Sequence, residues 1–249
     1  MKNNTSWNEV ADWYDTLLKE DNTYQSQVIL PNTLRLLSIK KGAKILDLAC
    51  GQGFFAHAFL KEGGDVVGVD ISSNLIKAAQ KNVPGVKFFA SPAHKLSMIP
   101  DNSLDSVAVI LALQNILNIS EVFNEVHKKL KKGGKFLIVL NHPAFRNPGA
   151  SSWGFDEQQK KQYRRLDSYM TESKREIDMH PGSTEKITTV SFHRPLQVWF
   201  KTLANAGFQI SRLEEWISHK QSEKGKRREA EDIARKEFPL FMCIEAVSV

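Results

Sequence analysis

The sequence predicts an α/β fold in which a mostly parallel sheet is covered by helices on both faces and finished by an antiparallel pair at one edge. Three observations predict it. From residue 43 to residue 141, short apolar runs bounded by glycine alternate with amphipathic stretches, the pattern of parallel strands joined by crossover helices. Two late apolar runs, 208–216 and 240–249, are separated by a polar excursion, which suits an antiparallel hairpin on the sheet edge. Finally, 249 residues with 41% hydrophobic and 25% charged side chains suit one globular unit.

Along the chain, residues 1–40 read as an N-terminal helical cap. Trp7, Val10, Trp13, Tyr14, Leu17 and Leu18 recur at helical spacing, and Pro31 opens a further helix to about Ser38. Residues 41–142 form the core. Its strands fall at 43–49, 65–69, 86–90, 105–111 and 135–141, with helices at 54–62 and 74–81. Ser120 is the expected cap of a further helix reaching Lys131, with lysines before Gly133 and Gly134 complementing the helix C-terminus. After His142 the periodicity lapses, so residues 143–186 read as an insertion or lid. Residues 187–249 resume with an extended run at 188–192, a helix at 195–206 stopped by Gly207, and the two edge strands.

Bulk properties narrow the function classes. Cys50 and Cys243 are the two cysteines, too few for a disulfide framework or a zinc cluster. No run reaches the ~18 apolar residues of a membrane span, and no apolar signal core follows the N-terminus, so a cytoplasmic protein without membrane contact is expected. The net charge of +6 invites a nucleic-acid partner, but Lys224, Lys226, Arg227 and Arg228 are followed at once by Glu229, Glu231 and Asp232. A solvated surface is favoured over an RNA footprint.

The chemistry concentrates at Gly51 and Gly53, between an apolar strand and a helix. Glycines there let the backbone turn sharply and approach a ligand at the carboxyl end of a strand. Asp70, directly after the second strand, is placed to accept hydrogen bonds from the two ribose hydroxyls of an adenosine. Ala56 completes a G-x-G-x-x-A pattern, so a dinucleotide fits these features too. Asp47 argues against it, since a carboxylate inside the strand end is awkward beside a pyrophosphate and suits a cationic amino group. The helical residues before the first strand and the antiparallel ending also depart from a dinucleotide fold.

With these blocks in order, the chain resembles the class I S-adenosylmethionine-dependent methyltransferases of the small-molecule, type 11-like kind. The resemblance covers about residues 40–142 and rests on residues 45–53, 66–70, 99–105 and 130–136. It implies a Rossmann-like methyltransferase fold with a seven-stranded, mostly parallel sheet. It implies S-adenosylmethionine as methyl donor and S-adenosylhomocysteine as product. Asp47, with the backbone of Ala49 and Gly51, would hold the methionine end beside Gly53. Asp70 would take the ribose, Ile71 would lie on the adenine, and Ala93 and His94 would frame its edge. Leu111 and Gln114 would flank the methionine moiety, and Tyr14 or Tyr24 would close over the cofactor carboxylate. The pattern departs at Pro92-Ala93, where relatives often carry Asp-Ala; the adenine amino group must then be met by Ser91, a backbone group or water.

The acceptor is less legible. His142 ends the fifth strand and His193 precedes the helix at 195, so each is a candidate proton acceptor facing substrate. Arg146, Trp153, Tyr163, Tyr169 and Arg194 are candidate substrate contacts, although they could equally dock the insertion. The histidines lack metal-ligand spacing, so no metal is expected. A small-molecule acceptor and a monomer or homodimer are expected. The alternatives are an RNA or protein methyltransferase, a non-catalytic S-adenosylmethionine-binding regulatory protein, and a nicotinamide oxidoreductase.

Overall fold

The computed structural model describes Trp7, residues 22–178 and residues 187–249. A π-helical turn, Gln25–Ile29, runs into α1 (Leu30–Leu37), which carries Pro31 in its first turn and ends at Ser38 in the left-handed conformation. There follow β1 (Lys44–Leu48), α2 (Phe54–Lys61), β2 (Asp65–Asp70), α3 (Ser73–Asn82), β3 (Lys87–Ala90), β4 (Leu104–Ile110), α4 (Ile119–Lys129) and β5 (Leu130–Asn141). Then come β6 (Ser151–Asp156), β7 (Lys161–Leu166), β8 (Ser173–Asp178), β9 (Thr188–His193), α5 (Leu196–Asn205), β10 (Phe208–Trp216), α6 (Arg228–Glu237) and β11 (Phe241–Ser248).

Seven strands form one sheet in the order β10-β11-β5-β4-β1-β2-β3. Pairing is parallel from β5 through β3, and β11 runs antiparallel to both β5 and β10. This is the seven-stranded, mostly parallel arrangement that the sequence predicts, with the hairpin at the edge.

Period-two alternation assigns each strand residue to one of two cores. In β5, Phe136, Ile138 and Leu140 join Phe123 and Val126 of α4 and Trp199 and Leu203 of α5 on one face. Leu137 and Val139 point the other way, toward Leu36 and Leu37 of α1 and Phe55 and Phe59 of α2. Such double coverage explains why the parallel strands read as continuous apolar runs.

Two expectations change. The residue capping α4 is Asn118, and Ser120 lies inside the helix. That helix stops at Lys129 and β5 begins at once, so Gly133 and Gly134 kink a strand and do not end a helix. A Cβ on Gly134 would sit 2.8 Å from the Lys131 carbonyl, which only glycine avoids. The segment after His142 is built of strands: β6 pairs with β7, and β8 pairs with β9, in two antiparallel ribbons separate from the main sheet.

Candidate functional site

The strand order reverses direction at β1 and β4, and open α/β sheets bind ligands at such a switch point. A cavity of about 480 Å³ lies there, at the carboxyl ends of β1, β2 and β4. One wall comprises Asp47, Ala49, Gly51, Asp70, Ile71, Ala93, His94 and Leu111. The other comprises Asn115 and Ile116 after β4, with Glu176 and Thr188, Thr189 and Val190 from the β8–β9 ribbon. The ribbon is fastened to the sheet by Asn115, whose Nδ2 donates to the Val190 carbonyl at 2.7 Å.

The loop after β1 is shaped by residues in left-handed conformations: Ala49 at φ 58°, Gly51 at 56° and Gly53 at 87°. Gly53 caps α2, and a Cβ there would come within 3.1 Å of Val83 and 3.2 Å of Phe88. Ala49 and Leu111 (φ 54°) bear this conformation with a side chain, a strain that clusters at ligand sites, and both line the cavity.

Two buried carboxylates face this loop. Asp70 Oδ2 accepts from the Gly51 N–H at 3.0 Å and Oδ1 from the Ser72 N–H at 2.8 Å, so the end of β2 holds the glycine loop in place. Burial raises the Asp70 carboxyl above its ordinary range, against the two backbone donors that lower it. Asp47 is 1% exposed, and its Oδ2 has no hydrogen-bond partner. Burial pushes its carboxyl up to about 7, and the neighbouring Asp70 adds to the rise. An unpartnered buried carboxylate oxygen at a cavity wall suits a cationic ligand group.

Residues 46–138 match the family described as methyltransferase domain. An S-adenosylmethionine-dependent methyltransferase from Mesorhizobium loti superposes with a TM-score of 0.72 at 26% identity, over 91% of this chain and 99% of that one. The chain is an S-adenosylmethionine-dependent methyltransferase. It is also 29% identical to a demethylmenaquinone methyltransferase of Paenarthrobacter aurescens over 56% of its own length and 55% of that relative's, about half of each chain. A glycopeptide N-methyltransferase solved with S-adenosylmethionine bound shares the fold, at a TM-score of 0.58 and 17% identity over 88% of this chain and 92% of that one.

Eight of the methyltransferase's twelve expected cofactor residues meet at the cavity, namely those of its first wall. Gly53 shapes the loop from behind. Gln114 turns back on its own helical turn, donating from Nε2 to the Leu111 carbonyl at 2.6 Å, and Asn115 faces the cavity instead. The Tyr24 hydroxyl meets Ser218 Oγ at 3.2 Å, and its ring packs edge-on against Phe241, away from the cavity. Tyr14 lies outside the described residues.

The candidate acceptor residues are elsewhere. His142 Nε2 meets Glu215 Oε1 at 2.7 Å, while Nδ1 accepts from the Ala144 and Phe145 N–H groups, so this ring closes a turn and ties β5 to β10. His193 Nε2 lies 2.7 Å from the Tyr169 carbonyl, and the Tyr169 hydroxyl accepts from the Leu196 N–H. Arg194 donates to the Ile116 and Leu117 carbonyls and stacks on Phe192 and Trp199. Arg146 lies over the Phe241 ring. Trp153 and Tyr163 are half-exposed on the β6–β7 ribbon, where Arg164 stacks on Trp153. None of these seven lines the cavity; their contacts tie them to neighbouring strands, turns and rings. Sequence reasoning missed Glu176 and the Thr188–Val190 wall, because only ribbon pairing brings them to the sheet edge.

Proposed function

We propose that the cavity holds S-adenosylmethionine and that the protein transfers its methyl group to a small-molecule acceptor. The observation that carries this reading is Asp47: a buried carboxylate with one oxygen unpartnered, at the strand end that opens into the cavity. The α-ammonium of the cofactor is the group that such an oxygen would hold. When bound, the sulfonium supplies an activated methyl group whose leaving group is a neutral thioether.

The chain's own residues have three tasks. Asp47 and the backbone of Ala49 and Gly51 fix the amino-acid end. Asp70 accepts from the ribose hydroxyls, since each of its oxygens keeps lone-pair capacity beyond the backbone N–H it already accepts. Ile71, Ala93 and His94 frame the adenine. Ser91 Oγ donates to the Lys95 carbonyl at 2.7 Å and so presents a lone pair where Pro92 offers no side-chain acceptor. Alignment of the acceptor with the S–CH₃ bond supplies the rate, because the donor is already activated. A small acceptor is supported by demethylmenaquinone, the compound named for the curated relative.

Calorimetric titration with S-adenosylmethionine, S-adenosylhomocysteine and NAD tests the reading. Both adenosyl compounds should bind and NAD should not. Asp70→Ala should weaken both by at least tenfold with the fold intact. Tight NAD binding without binding of the sulfonium would overturn the assignment.

A further inference from the structure

Beyond the cofactor wall, the cavity has a second wall whose chemistry is distinct. Strand alternation and the pairing of Glu176 with Val190 put Glu176, Val190 and Thr188 on one face of the β8–β9 ribbon. Thr189, Ser191 and His193, the opposite face of β9, are buried against the body. Among the described residues, the charged side chains lining the cavity are Asp47, Asp70 and Glu176; no lysine or arginine joins them, and Cys50 and His94 are the other titratable groups. In a chain of net charge +6, this concentration of carboxylates is a local choice. Asp47 and Asp70 are accounted for by the proposed cofactor. Glu176 is not, because it comes from the β8–β9 ribbon and not from the sheet-edge loops assigned to the cofactor. A cavity with this lining repels carboxylate and phosphate groups and attracts cations.

We propose that the β8–β9 ribbon is the acceptor wall of the cavity and that Glu176 selects a cationic amine as methyl acceptor and takes its proton. This rests on the cofactor reading above. The chemistry balances. The ammonium group gives one proton to the Glu176 carboxylate, and the freed nitrogen lone pair forms the N–CH₃ bond. The S–CH₃ bonding pair stays on sulfur, leaving the neutral thioether, and the methylated nitrogen carries the positive charge. Thr188 contributes a hydroxyl on the same ribbon face, able to orient the amine. Glu176 is exposed, and its side chain makes no hydrogen bond or ion pair among the described residues, so Glu176→Gln should retain the fold.

Sinefungin is a suitable probe, because it carries a charged amine where S-adenosylmethionine carries the transferable methyl group. Its binding is compared with that of S-adenosylhomocysteine, which has no group there, in the wild type and in Glu176→Gln and Glu176→Asp. The expected result is a preference for sinefungin that falls on the order of tenfold in Glu176→Gln, with S-adenosylhomocysteine unchanged and Glu176→Asp restoring part of it. An unchanged sinefungin preference in Glu176→Gln overturns the acceptor assignment while leaving the cofactor reading intact. Failure of the wild type to bind S-adenosylhomocysteine overturns the cofactor reading first.

Discussion

Asp47 holds a carboxylate between two core strands, its Cα opposite Gly68 of β2 and Ala108 of β4, where neither neighbour offers a charge or a donor. The native carboxyl titrates near 7, and an ordinary one near 3.8. Between these values the folded protein keeps a proton that the unfolded chain has released. The contribution of this group to the free protein's stability is therefore fully present below about pH 4 and is lost progressively as the pH rises through about 7. Asp47→Asn should flatten that slope, which thermal melts from pH 4 to 8 would read. The same group makes cofactor binding proton-coupled. A cation brought against Asp47 favours its ionised form, so binding at pH 7 should release part of a proton. Calorimetric enthalpies measured in buffers of different ionisation enthalpy should diverge for the wild type and coincide for Asp47→Asn, which should also bind at least tenfold more weakly. Coincident wild-type enthalpies would show that the ammonium group sits elsewhere.

At the scale of elements, His142 illustrates how a strand end is held. Its ring accepts two backbone N–H groups from the turn after β5 and meets Glu215 of β10. Replacement by alanine leaves those donors unsatisfied and should cost about 1–3 kcal/mol. Because the ring does not line the cavity, the dissociation constant for S-adenosylhomocysteine should stay the same; denaturant melts and titrations of His142→Ala would show both. Its pH effect opposes that of Asp47. Burial lowers the ring's affinity for protons, so its contribution is present above the ordinary value of 6.5 and is lost as the pH falls through its lowered native value. These elements also show where the sequence was legible. β1, β2, β4 and β5 are buried on both faces, so each is an apolar run between breakers, and the glycine loop follows directly from β1. The ribbons β6–β7 and β8 have mostly exposed or half-exposed residues on both faces, so they carry no apolar period to read. His142 and His193 occupy strand ends as expected, yet what a side chain does there depends on partners far along the chain, such as Glu215 and Tyr169.

For the whole molecule, the sheet edge gathers loops from both halves of the chain. The glycine loop follows β1, the turn with Asn115 follows β4, and the ribbon wall comes from residues 173–193. β10 runs parallel to β5, so the excursion that starts after Trp216 leaves from this same edge. There its basic cluster is partly engaged with acids: Arg227 pairs with Glu157 and lies over the Phe155 ring, and Arg228 pairs with Asp232 at 3.6 Å. The positive charge thus lies outside the cavity, and the cavity itself is acidic. A ligand held by the glycine loop and touching the ribbon wall bridges segments that are otherwise joined at this edge by contacts such as that of Asn115 with Val190. Saturation should therefore stabilise the chain as a unit. At a hundredfold excess over its dissociation constant, S-adenosylhomocysteine adds ~2.7 kcal/mol, equivalent to about 5–10 °C for a chain of this size. The rise should follow ligand concentration logarithmically, persist in Glu176→Gln, and fall by about half or more in Asp70→Ala at the same ligand concentration. Hydrogen exchange would locate it: protection should extend to Thr188–His193 as well as to the loop at Gly51. Protection confined to the loop would mean that the ribbon does not close over the cofactor, and would leave the acceptor wall to act on the acceptor alone.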